Sequence, residues 1–197
     1  MKNTLRVIIA LILIAGAVYL IQSRSNPVST VVQENGLAAA TSTIDTTGWK
    51  TYTDTNRGFN FSIKYPANLT YKTIGSDKTY KTSSYSDFIL GFYLPNPEIN
   101  SGLSIEILHD APKNAEAYTQ ELLDLSKLSR GSITTEQGPD ITIAGETAHV
   151  VHTSQGNHTA IHAIFEKGDA RYELIGAGEF ADAQMFRTFY QSLTINN

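Results

Sequence analysis

The sequence predicts an α+β domain, a mostly antiparallel β-sheet flanked by helices, preceded by one N-terminal transmembrane helix. Three observations predict it. Apolar residues recur with period two in several short segments, as in strands with one buried and one wet face. Glycine-containing turns of a few residues separate the later segments, which suits an antiparallel meander. Two stretches switch to the helical period, and they stand at segment ends rather than between every pair of strands.

The 197 residues leave room for one ordinary domain and an appendage. Met1–Arg6 carries Lys2 and Arg6, and Val7–Ile21 is an unbroken apolar run. Fifteen residues of helix cover roughly 22 Å, short of the ~30 Å hydrocarbon core. A secretory signal would be cut after Ala15-Gly16-Ala17, yet Val18-Tyr19-Leu20-Ile21 continues the run beyond that point. With Leu5 in front and Arg6 and Arg24 snorkelling, the segment is long enough for a signal anchor, the favoured reading. Lys2 and Arg6 then hold residues 1–6 in the cytoplasm and place the C-terminal bulk outside. The expected location is a bacterial-type cell membrane, single-pass. Residues 22–48 are rich in Ser, Thr, Asn, Gln and Ala and read as a flexible linker.

From Trp49 to residue 197 the pattern is that of one folded unit. Phe59, Phe61, Ile63 and Tyr65 alternate with polar residues, and Pro66 stops the strand. Leu69–Ile74 is expected to return as a second strand, and Lys78–Ser86 is a loop or weak edge. Phe88–Leu94 suits a central strand ended by Pro95 and Pro97, and Leu103–His109 alternates again. Asn114 is positioned to cap a helix with Glu116 in its first turn and a stripe of Tyr118, Leu122 and Leu125. Strands follow at Ile133–Glu136, Ile141–Ile143, Ala148–Thr153, Thr159–Glu166 and Arg171–Ala177, with turns at Gly145, Gln155-Gly156-Asn157 and Lys167-Gly168-Asp169. A helix over Ala181–Leu193 closes the chain, with Phe186, Phe189, Tyr190 and Leu193 on one face.

In order, these segments resemble the PsbP-like family over about Trp49–Ile195. The resemblance is carried by Trp49, Tyr52, Gly58-Phe59-x-Phe61-x-x-x-Tyr65-Pro66, the mid-chain helix, Ile143-Ala144-Gly145, Tyr172-x-Leu174 and Gln191-Ser192-Leu193. It implies an exported domain with an antiparallel sheet flanked by helices; the best-known members are extrinsic subunits of the photosystem II oxygen-evolving complex. Fold does not imply function, so photosynthesis is not carried over. No ligand-binding residue of the family matches a position here.

Composition excludes several chemistries. Lys2, Arg6, Arg24, Glu34 and Asp45 precede Trp49, which leaves 12 Lys+Arg against 17 Asp+Glu in the domain. That balance argues against a sequence-independent nucleic-acid binder. The chain has no cysteine, hence no disulfide, thiolate nucleophile or Cys-ligated metal. Signatures of serine hydrolases, zinc proteases, P-loops and EF-hands are missing. No cofactor and no catalytic residue is assigned.

Two residue types are concentrated. His149, His152, His158 and His162 fall within one predicted hairpin. With its turn centred on Gln155–Asn157, His152 and His162 face each other across the strands, a spacing that can chelate Zn²⁺ or Cu²⁺, and His158 is a third candidate ligand. His149 lies on the other face from His152, because the spacing is odd. The simpler reading is of half-exposed histidines on the outer face of the sheet, and no metal is assigned. Tyr71, Tyr80, Tyr85 and Tyr93 cluster around the central strand and, if exposed, form a recognition patch. The function these features favour is a non-enzymatic, membrane-anchored extracytoplasmic module that binds or helps assemble an envelope protein partner. The alternative is a small-ligand or metal-binding domain using the hairpin His149–His162.

Overall fold

A computed structural model describes residues 44–54, 59–74, 88–95, 101–109 and 113–196. By contacts the chain divides into Met1–Ser42 and Thr43–Asn197, and all described residues belong to the second unit. The expected membrane segment 7–21 and nearly all of the linker lie outside the described residues, as do Tyr80 and Tyr85. Among the described residues no helix is long and apolar enough to cross a membrane.

The strands form two antiparallel sheets rather than one. The smaller joins β1 (Lys50–Asp54), β2 (Phe61–Tyr65) and β11 (Thr194–Ile195) in the order β1-β2-β11. The larger contains β3 (Thr70–Ile74), β4 (Phe88–Tyr93), β5 (Gly102–His109), β6 (Thr134–Gln137), β8 (Glu146–Gln155), β9 (His158–Lys167) and β10 (Ala170–Ala177). Its order is β3-β4-β5-β10-β9-β8-β6, and β7 (Ile141–Ile143) pairs with β8 beside β6. The meander from β8 to β10 forms with turns at the expected places, although Gln155 and Lys167 belong to the strands and leave two-residue turns, and β5 closes it by pairing with β10. The segment after Pro66, however, does not fold back on β2. It pairs with β4, and β2 is sandwiched instead between the first and last strands of the domain.

The reason lies in what the alternating side chains need. Phe61, Ile63 and Tyr65 are all but inaccessible, and a strand with so apolar a face must press it onto another apolar layer. That layer is the face of the large sheet carrying Phe88, Leu90, Phe92, Leu103, Ile105, Ile107 and Leu174, all likewise buried. Phe59 and Phe61 meet Phe88 at ring distances of 4.8 and 6.0 Å, and Tyr65 stacks on Phe92 at 4.4 Å. The C-terminal helix, α3 (Ala183–Gln191), fills the remainder of the same face through Phe186, Phe189 and Tyr190. It starts two residues later than the periodicity suggests, because Asp182 accepts from the backbone N–H groups of Gln184 and Met185 and so sets the cap. A 3₁₀ turn over Gly178–Ala181 leads into it.

The opposite face of the large sheet is partly covered by α1 (Ala115–Leu123) and the short α2 (Leu125–Leu128). Asn114 caps α1 as expected, accepting from the N–H of Ala117. The helix seats Ala115, with Tyr118, Leu122 and Leu123, on Val151 and Ile164. The sheet is therefore buried on both faces at β8, β9 and β10.

Gly176 is where the 3₁₀ turn crosses β10: a β-carbon there would come 2.4 Å from the carbonyl oxygen of Phe180. Gly176→Ala is accordingly expected to lower stability by about 1–3 kcal/mol, the usual cost of forcing atoms into a filled core. Urea unfolding followed by far-ultraviolet circular dichroism measures it, and an unchanged midpoint would refute the close approach.

Candidate functional site

The histidine hairpin folds, but its register differs from the one that would bring His152 and His162 together. The turn has only two central residues, Gly156 and Asn157, because Gln155 pairs with His158. Gly156 has φ +59 and Asn157 does not share the positive sign, as a type II′ turn requires. His152 therefore stands opposite Ile161 and His162 opposite Val151. A shift of one residue transfers a side chain to the other face, so the two histidines lie on opposite sides of the sheet. His158 is exposed at the turn. The His152 ring lies over Gly138, whose β-carbon would come 3.0 Å from its Nε2. His149 does lie on the other face from His152, bonded through Nδ1 to Asp140 Oδ1 at 3.1 Å. Among the described residues no three His, Asp or Glu side chains converge in a way that would hold a metal ion.

His162 belongs instead to a polar cluster beneath α1. Its Nδ1 is 2.8 Å from Glu173 Oε1 and its Nε2 is 3.1 Å from Thr153 Oγ1. Both partners sit on the diagonal: Ile175 and Val151 are directly opposite His162, and Glu173 and Thr153 are two residues away on the same face. The other oxygen of Glu173 accepts from the Tyr118 hydroxyl at 3.1 Å. Arg171, two residues before Glu173, lays its guanidinium over the Tyr118 ring at 3.8 Å and donates to the Lys113 carbonyl. The side chains of His162 and Glu173 keep only 15% and 8% of their exposure. Burial, the negative charges of Glu173 and Glu106, and the hydrogen bond to Glu173 hold the Tyr118 hydroxyl well above the ordinary tyrosine value, against the opposing pull of Arg171.

A carboxylate, an imidazole and a hydroxyl in line are the order of a hydrolase triad. Here the surroundings differ. The backbone of Thr153 is committed to the ladder on both sides, to Thr135 and to Ala160. The neighbouring donors have partners too: Tyr118 on Glu173, one nitrogen of Arg171 on the Lys113 carbonyl with its guanidinium laid over the Tyr118 ring, and the Thr135 hydroxyl on the Leu123 carbonyl. Nothing in that set is aimed at a developing oxyanion. The cluster joins helix to sheet. Sequence reasoning passed over Arg171 and Glu173, although two charges at i and i+2 inside the apolar run ARYELIGA mark one polar face of an interior strand.

Exposed aromatic side chains stand at one end of the large sheet, on β3 and β4. Tyr71 is 55% exposed and Tyr93 44% exposed. Tyr71 meets Tyr52 and Tyr65 edge-on at ring distances of 5.2 and 6.3 Å, so its ring is held although it faces solvent. Tyr93, on the opposite face, folds back over Gly91, where a β-carbon would collide with its ring.

No protein-family model and no curated protein matches the chain. Among solved structures, it is similar to the solution structure of the cyanobacterial PsbP protein CyanoP from Synechocystis sp. PCC 6803. The TM-score is 0.50 at 12% identity, over 82% of this chain and 98% of that one. At the level of fold, this chain resembles PsbP-like domains. A crystal structure of a protein from Bacteroides thetaiotaomicron VPI-5482 gives a TM-score of 0.44 at 13% identity, over 76% of this chain and 49% of that one. The PsbP-like fold accounts for the sheet and its helices, while the cluster and the tyrosines are described from this chain's own residues.

Two outcomes follow from the site. His162→Ala leaves Thr153 without its imidazole and Glu173 with one donor fewer, and is expected to cost about 1–3 kcal/mol in urea unfolding. The tyrosines set an alkaline limit. Tyr172, buried against Phe165 and near the charge of Asp169, is pushed up to about 12 from an ordinary 10.0. The folded state then holds its proton longer than the unfolded chain does, so this stability is fully present below pH 10 and declines from there towards 12. Phenolate absorbance read alongside unfolding should show the buried tyrosines ionising only as the fold is lost.

Proposed function

We propose that the protein is a non-enzymatic module, tethered by residues 7–21 with its N-terminus in the cytoplasm, whose PsbP-like domain binds an envelope protein partner outside the membrane. The tether reading rests on the apolar run behind Lys2 and Arg6. The binding reading rests chiefly on Tyr71, a large ring more than half exposed yet fixed by Tyr52 and Tyr65. Tyrosines are enriched where proteins bind, because they offer wide contact area with few torsions left to freeze. A ring already held in place loses still less freedom on binding. A metal- or ligand-binding role for the histidine hairpin draws no support from its register.

The test is crosslinking in intact cells, purification of the full-length protein from membranes and mass spectrometry, run with wild type and Tyr71→Ser. One stoichiometric partner is expected with wild type. Tyr71→Ser should weaken the recovered complex by about 30-fold, the consequence of losing about 2 kcal/mol at an interface anchor. A partner held equally by both proteins would overturn the role of Tyr71, and no enriched partner at all would overturn the binding reading.

A further inference from the structure

The apolar footing of α1 is narrow. Its fully buried share is Ala115 on Val151 and Ile164, with Tyr118, Leu122 and Leu123 partly covered. Three polar bonds supplement it: Arg171 to the Lys113 carbonyl ahead of the helix, Thr135 to the Leu123 carbonyl at its end, and Tyr118 to Glu173 at its middle. Only the last depends on a group that changes charge when the medium turns acid.

We infer that the Glu173 carboxylate is an acid-labile latch that holds α1 to the large sheet. Ionised, it accepts Tyr118 through one oxygen and His162 through the other, and Arg171 stands two residues before it on the same face, over the Tyr118 ring. The groups around it are His162 and Glu166 from β9, Tyr118 from α1, Arg171 from β10 and Glu106 from β5, directly opposite; His149 on β8 is turned to Asp140. When Glu173 takes up a proton, one of its oxygens becomes a donor. A His162 that donates from Nδ1 cannot accept that proton there. The remaining bonds lose their charge assistance, and the cluster around Arg171 loses its most buried carboxylate. The latch is thus closed while Glu173 is ionised and is released when it is protonated. Opening α1 bares Val151 and Ile164, which are wholly covered in the closed form.

Hydrogen exchange read by mass spectrometry on the full-length protein, corrected for intrinsic rates, tests this across a series of pH values. Peptides from α1 should lose protection in acid before those of β9 and β10. Glu173→Gln, which keeps the shape and removes the charge, should lower α1 protection at neutral pH by about tenfold and leave the strands protected. If helix and strands lose protection together, or if α1 in Glu173→Gln keeps the wild-type value, the latch is refuted. Should that variant not fold, Tyr118→Phe decides. The latch requires faster exchange in its α1 with a weakened pH dependence, and wild-type exchange there would refute it.

Discussion

Which face each residue of the meander occupies is decided by three two-residue turns: Ala144-Gly145, Gly156-Asn157 and Gly168-Asp169. A strand repeats every two residues, so a turn one residue longer would exchange the two faces of everything that follows. Ala144 and Gly145 both have positive φ, 51 and 88, as a type I′ turn demands, while in the other two the glycine comes first with the positive angle. With these registers fixed, Ala163, Phe165, Tyr172 and Leu174 fall towards the small sheet and α3, and His162, Ile164, Arg171 and Glu173 fall towards α1. The hydrophobic core and the polar cluster are two consequences of one constraint.

The two faces are stabilised differently. Towards the small sheet the gain is apolar burial, with Phe61, Phe88, Phe92 and Phe189 fully enclosed, a term that is non-directional and insensitive to pH. Towards α1 the gain is directional: a charge-assisted bond, a cation over a ring, and a phenol on a carboxylate. Burying charges carries a desolvation cost that only complete pairing offsets. The presence of Arg171 and Glu173 makes the attachment of α1 conditional in a way that the attachment of α3 is not.

Much of this was legible in the sequence. The strands other than β1 and β11, the places of the three turns and both amphipathic helices follow from local pattern, and the likeness to CyanoP supports the architecture at an identity where only the fold is comparable. Pairing between distant segments was not legible. Nothing local to Phe61–Tyr65 says that its neighbours are Lys50–Asp54 and Thr194–Ile195 rather than the segment that follows it. The histidine pairing failed for a sharper reason: it depended on the parity of a turn, and glycine beside asparagine fits more than one turn length. Arg171 and Glu173 mark a polar face on an apolar strand, but that pattern does not name their partner. The meaning of Glu173 arises only when α1, from a separate part of the chain, brings Tyr118 to it.

The features that the fold does not require are the ones that can distinguish this protein from others of the same architecture. A sheet margin needs no tyrosine held edge-on and half in water, and a helix can be seated on a sheet by leucines alone. Tyr71 belongs to β3, at one end of the order of the large sheet, whereas Glu173 belongs to β10 in its middle. Between them stand β4 and β5, whose core-facing residues are close-packed and transmit displacement poorly unless a whole element moves. The two are therefore best regarded as independent devices on one scaffold: a rigid aromatic contact at the margin, and a helix whose hold on the other face depends on the charge of one side chain.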